Sequence, residues 1–101
     1  MEKRLNEQVT CASGFKMSVQ ASVHNYCSPR VDDAQSYNAV EVGFPSDYEE
    51  LLAFYAEDKE DYTGTIYGWV PVDIISLVCA KHGGIVSGDF PNGIPYLKAV
   101  E

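Results

Sequence analysis

Phe15-Lys16-Met17-Ser18-Val19-Gln20-Ala21-Ser22-Val23-His24 is the stretch that decides the fold. Phe15, Met17, Val19, Ala21 and Val23 alternate with Lys16, Ser18, Gln20, Ser22 and His24. A period of two sends successive side chains to opposite faces of a strand, so this strand has one dry face and one wet face. Just before it, Val9-Thr10-Cys11-Ala12 and the turn pair Ser13-Gly14 supply a hairpin partner. After it, residues 25–36 read as a long polar loop. Residues 37–44 form another strand, with Val40, Val42 and Phe44 on one face and Glu41 on the other. Pro45 ends that strand, because proline has no N–H to give a ladder.

A helix is expected next. Ser46 and Glu49 have capping-box spacing, and Asp47, Glu49 and Glu50 suit the positive end of a helix dipole. Tyr48, Leu51, Leu52 and Tyr55 recur at helical spacing and form its buried stripe. It runs into the acidic loop Glu57-Asp58-Lys59-Glu60-Asp61, closed by Thr63-Gly64. Residues 65–70 make a strand carrying Ile66, Tyr67 and Trp69. Pro71 fits a first helical position and Asp73 a first turn, and the second helix ends at Lys81 or His82 before the left-handed cap Gly83-Gly84. Only Asp73 and Ser76 break its apolar surface, which places it at the centre of the core or in a homodimer contact. Ile85-Val86-Ser87 and residues 96–100 are shorter strands around the turn Pro91-Asn92-Gly93. Consecutive strands ahead of the first helix indicate an α+β fold, a largely antiparallel sheet of about five strands with two helices packed on one face. The 101 residues suit a single domain, 1–101.

Charge restricts the partners. Fifteen acids against seven bases give a net charge of −8. Such a surface is repelled by phosphate backbones and by anionic membranes, so neither nucleic acid nor membrane is an expected direct partner. A basic protein or ribonucleoprotein surface is. No apolar run approaches the ~20 residues that span a bilayer. Met1-Glu2-Lys3-Arg4-Leu5-Asn6-Glu7 carries charge with no apolar core behind it, unlike a signal peptide. Three scattered cysteines, Cys11, Cys27 and Cys79, fit reduced thiols in a cytoplasm better than a disulfide framework.

The constellations that could carry chemistry are sparse. His24 with Cys27, and Cys79 with His82, are two pairs of the kind that hold tetrahedral zinc. Cys79, however, lies in the most apolar stretch, where a free cysteine acts as a small core residue. Cys27 and His82 could pair as nucleophile and base beside Arg30, yet nothing marks an oxyanion hole or an orienting third group. Gly83-Gly84 follows a helix and presents carbonyls, so it is no phosphate cradle. The expectation is therefore no catalytic set, no metal and no cofactor. Two binding candidates remain. Asp47, Glu49, Glu50, Glu57, Asp58, Glu60 and Asp61, with Lys59 alone against them, form an acidic block suited to a basic groove. Asn25-Tyr26-Cys27-Ser28-Pro29-Arg30 combines an aromatic and an arginine, types enriched in interface hot spots, here through Tyr26 and Arg30.

Gly14-Phe15-Lys16-Met17-Ser18-Val19-Gln20-Ala21-Ser22, Tyr26-Cys27-Ser28-Pro29-Arg30, Val40-Glu41-Val42-Gly43-Phe44-Pro45-Ser46, Tyr67-Gly68-Trp69-Val70-Pro71-Val72 and His82-Gly83-Gly84 resemble a family of small acidic bacteriophage and prophage proteins. The similarity spans roughly residues 9–88. It implies no site residues, only a setting, the cytoplasm of a bacterial host, in which accessory proteins inhibit host defences. The expectation is a non-enzymatic anti-defence protein of the anti-CRISPR kind, binding a basic surface of a Cas complex through its acidic face. The alternative is a protein that sequesters a small nucleotide signal of host immunity, with Arg30, Tyr26 and Trp69 as ligand contacts.

Overall fold

The structure, a computed structural model, describes residues 5–100. Met1, Glu2, Lys3, Arg4 and Glu101 lie outside the described residues, and with them part of the stretch compared above with a signal peptide. Three strands come first, β1 (Val9–Cys11), β2 (Lys16–Gln20) and β3 (Ala39–Gly43). Then follow α1 (Glu50–Ala53), β4 (Ile66–Pro71), α2 (Val72–Lys81) and β5 (Ile85–Ser87). All neighbouring strands pair antiparallel, in the order β4-β3-β2-β1-β5. The α+β class expected from strand spacing is the one that forms.

The register explains the alternation. Val9 opposes Met17, Val19 opposes Val42, Val40 opposes Val70 and Val42 opposes Tyr67, so these side chains share one face. Leu52 of α1 and Ile75, Val78 and Cys79 of α2 close over that face and belong to the same core. The opposite face carries Thr10, Ser18, Gln20 and Glu41. Both sheet edges are covered. Glu57 N–H donates to the Ile66 carbonyl and Trp69 N–H to the Tyr26 carbonyl, each at 3.0 Å, along the outer edge of β4. Lys98 pairs with Ile85 beside β5. Such cover blocks the addition of a further strand.

Four local expectations give way to competing interactions. The strand starting at Phe15 stops at Gln20 because Ser22 Oγ donates to Asn25 Oδ1 (2.7 Å) and accepts from His24 N–H (3.1 Å). That side-chain turn replaces the ladder, and Val23 is exposed. Phe44 does not share the buried face of Val40 and Val42. Its φ of +47° turns the ring to solvent while Pro45 enters the core. The first helix is a single turn, because Ser46 does not cap it. Ser46 N–H donates to the Lys16 carbonyl at 2.8 Å and its Oγ accepts from Lys16 N–H at 2.9 Å, so it prolongs the sheet. Glu49 is the actual N-cap, accepting from Leu51 N–H at 2.8 Å, and of the expected stripe Leu52 is buried while Tyr48 is exposed. Residues 96–100 form no strand, touching β5 through Ile85 alone.

The helix α2 ends as its glycines require. Gly84 N–H donates to the Cys79 carbonyl (2.8 Å) and Gly83 N–H to the Ala80 carbonyl (3.2 Å), with φ values of +89° and +87°. This is the Schellman arrangement. A Cβ on Gly84 would also lie 2.7 Å from Ala99 Cα, whereas one on Gly14, at φ +95°, would meet nothing within 4 Å. Both alanine variants carry left-handed strain of about 1–3 kcal/mol. Gly84→Ala is expected to lose clearly more thermal stability than Gly14→Ala, and equal midpoints would contradict the close approach of Ala99.

Candidate partner-binding face

The acidic block divides at its second carboxylate. Glu49 opens α1 and points inward, its residue only 2% exposed. Its oxygens accept from Lys81 Nζ at 3.0 Å and lie 2.7 Å from His82 Nε2, both at the C-terminal end of α2. Opposite an ionised carboxylate Nε2 carries a proton and donates. The ring of His82 stacks on Phe15 with centroids 4.4 Å apart, and its Nδ1 is 2.9 Å from Ser13 Oγ. Burial pushes the Glu49 carboxyl up, but hydrogen bonds from Leu51 N–H, His82 and Lys81, with the charge of Lys81, outweigh it and hold the group below the ordinary glutamate value. Glu49 is therefore no partner contact. It clamps α1, α2 and the β1–β2 hairpin together.

Serine, histidine and buried glutamate in a row invite comparison with a catalytic triad. The backbone around Ser13 argues for a structural role. Ser13 N–H donates to the His82 carbonyl (3.0 Å) and Gly14 N–H to the Cys11 carbonyl (2.9 Å). Phe15 N–H donates to Ser13 Oγ itself (3.3 Å). All three amides are engaged, so none is left to receive a developing oxyanion.

The other carboxylates of the block face outward. Asp47, Glu50, Glu57, Asp58, Glu60 and Asp61 are all exposed. Among the described residues their ion pairing is limited to a 4.0 Å approach of Lys81 to Glu50. Lys59, the lone cation of the segment, is exposed but folds back over the end of α1. Its Nζ donates to the carbonyls of Ala53 (3.1 Å), Phe54 (2.8 Å) and Ala56 (3.3 Å), capping α1 where the helix dipole is negative. It therefore forms no bridge to the neighbouring acids. Two aromatic rings stand among the carboxylates, Phe54 at 80% and Tyr48 at 59% exposure. Asp58 and Asp61 have local duties as well, since they accept from Glu60 N–H (2.9 Å) and Gly64 N–H (3.1 Å).

Tyr26 and Arg30 meet beside this segment. β3 and β4 lose register between Val40 and Val42, and the extra residues opposite Glu41 form a bulge. Trp69, at φ +50°, sits in it. The bulge turns the indole outward onto Tyr26, with ring centroids 4.8 Å apart and planes 18° apart. Arg30 Cζ lies 5.3 Å from the Tyr26 ring centre. Glu41 fixes the loop by accepting from Tyr26 N–H (3.1 Å) and Asn25 Nδ2 (2.9 Å). The three residues expected to contact a nucleotide are thus neighbours, but Tyr26 and Trp69 stack on each other with no slot between them. A separate cleft of about 140 Å³, lined by Asn6, Asp33, Tyr37 and Asn92 among others, is smaller than the ~300 Å³ at which small-molecule sites begin.

The cysteines and histidines do not converge. Among the described residues no group of three or more His, Cys, Asp or Glu side chains is placed to hold a metal ion. Cys27 Sγ is buried against the carbonyls of Ser22 (3.3 Å) and Pro29 (3.5 Å), while His82 engages Ser13 and Glu49. Cys79 is buried next to Cys11, and burial pushes its thiol up to about 12, far from a reactive thiolate. The helix α2 buries Ile75, Val78 and Cys79 in the chain's own core and leaves Leu77 as its one large exposed apolar side chain. No described helix is long and apolar enough to cross a membrane. Comparison with protein-family models, curated proteins and solved structures finds no match.

The sequence marked Glu49 as one more surface acid. Its separation from Lys81 and His82 by more than thirty positions hid the clamp. Glu49→Gln is expected to cost about 2–4 kcal/mol, because it leaves two cationic or donor groups facing a neutral amide. Glu49 has a folded pKa below its ordinary 4.5, so its stabilisation is complete above that pH and is lost as pH falls through the folded value. Urea unfolding of both proteins at a series of pH values checks this. The gap between them must narrow below pH 4.5, and a constant gap would contradict the clamp.

Proposed function

We propose that the chain is a binding protein that sets its acidic, aromatic-bearing face against a basic protein or ribonucleoprotein surface, acting in a bacterial cell as an anti-defence protein of the anti-CRISPR kind. One observation carries the reading. Six exposed carboxylates share a segment whose single lysine is bonded to the carbonyls that end a helix and pairs with none of them. Solubility alone explains exposed acids; Tyr48 and Phe54, which touch Tyr62, Tyr55 and Lys59 within the chain, still leave most of their surface exposed among them. Exposed aromatic side chains ringed by charge are the usual make-up of an interface hot spot. The anti-defence setting comes only from the motif resemblance read in the sequence, to which the comparisons add nothing. The small-nucleotide alternative has less support, because Tyr26 and Trp69 close on each other.

The reading is tested with Asp47→Lys, Glu50→Lys and Glu60→Lys combined. None of these side chains accepts a backbone hydrogen bond that the fold uses, so the thermal midpoint is expected to move by only a few degrees. Cells carrying an active CRISPR system and expressing the wild-type chain should plaque a targeted phage more efficiently, and the triple variant should restore resistance. Equal protection by variant and wild type would exclude the acidic face. Resistance undiminished by the wild type across CRISPR types would exclude the anti-CRISPR role.

A further inference from the structure

We propose that Trp69 is the anchor of this interface and that its exposed surface takes an arginine side chain of the partner. The proposal rests on the reading that the partner surface is basic, and it names the contact and the residue type.

The backbone gives the first reason. A bulky residue at φ +50° is an uncommon and costly choice, normally kept only where its placement matters. Here the left-handed conformation belongs to a bulge, a device that re-aims a side chain. Its effect is to swing the indole off the sheet and onto Tyr26, leaving Trp69 47% exposed. Among the described residues no ring other than Tyr26 stacks on the indole, and nearly half of the residue's surface faces solvent.

The surroundings select the occupant. A Cβ built on Gly68 would lie 3.3 Å from Tyr26 Cβ and 3.7 Å from Glu57 Oε2. The bare glycine thus lets the Tyr26 ring and the Glu57 carboxylate close in around the bulge. The backbone of Glu57 is fixed to β4 by its 3.0 Å bond to the Ile66 carbonyl, which places this exposed acid next to the bulge. An exposed indole with an acid at the same bulge attracts a cation, and tryptophan is the strongest of the aromatic partners. Arginine suits the site better than lysine. Its planar guanidinium stacks on the ring, pairs with a carboxylate through two N–H groups, and is less strongly hydrated than an ammonium. Arg30 over Tyr26 already makes a contact of this kind within the chain, at 5.3 Å.

Trp69 is the chain's only tryptophan, so its emission reports this site alone. Nona-arginine and nona-lysine of equal charge are titrated at low salt, with emission and calorimetry as readouts. The arginine peptide is expected to change Trp69 emission saturably and to bind about five-fold more tightly than the lysine peptide. Trp69→Gly, which should fold because glycine accepts φ +50°, is expected to remove that preference in calorimetry, and Glu57→Gln to reduce it. Trp69→Phe keeps a ring and should retain part of it. The triple charge reversal at Asp47, Glu50 and Glu60 should weaken both peptides alike. If both peptides bind equally and Trp69→Gly changes neither, the anchor is wrong while the acidic face stands. If the charge reversal is silent but Trp69→Gly is not, the acidic-face reading fails and the anchor survives. Absence of binding by either peptide overturns both.

Discussion

One buried carboxylate holds the parts of this molecule in register. Glu49 begins the short helix α1, receives Lys81 and His82 from the far end of α2, and reaches Ser13 and Phe15 of the first hairpin through the His82 ring. A charge removed from water is costly unless it is hydrogen-bonded and paired, and a carboxylate left alone there would weaken the fold by several kcal/mol. With three donors around it, the cost becomes a constraint on geometry. Only one relative placement of α1, α2 and the hairpin satisfies all of them. The segment that continues from α1 through residue 61 inherits its position from that junction.

The same junction shapes the surface. Glu49 takes its counter-charges from outside the acidic segment, and Lys59 is drawn into the carbonyls that end α1. Lys59 is thus held by backbone carbonyls instead of by its acidic neighbours, and the remaining carboxylates have solvent or a partner to face. The outer edge of β4 adds the Tyr26–Trp69 pair, with Glu57 anchored between the two features. A sheet edge, a short helix and a bulge together present charge and aromatic surface.

Much of the fold was legible in the sequence, and the reasons differ by element. Period-two alternation revealed β2 because it records burial on one face, which the register of Val19 against Val42 realises. The Gly83-Gly84 stop was readable because a Schellman end makes local demands that glycine meets. Misreadings arose where a side chain had two possible partners. Ser46 looks like a helix cap, but Lys16 lies across the sheet from it and takes both its hydrogen bonds. Ser22 likewise prefers its own turn to the ladder. The acidic block could be seen by counting charges, whereas the separate fate of Glu49 depended on contacts with α2 that spacing does not encode. The bulge at Trp69 left no mark except a Gly-Trp step inside an otherwise ordinary strand.

The central claim is that Glu49 is an ionised structural anchor, distinct in kind from the acids that follow it. Carboxyl carbon resonances followed by NMR through an acid titration measure this directly. Glu49 is expected to titrate below the ordinary glutamate value of 4.5, with the His82 ring resonances moving in the same step. A Glu49 carboxyl that protonates at or above 4.5, with His82 unaffected, would contradict the account.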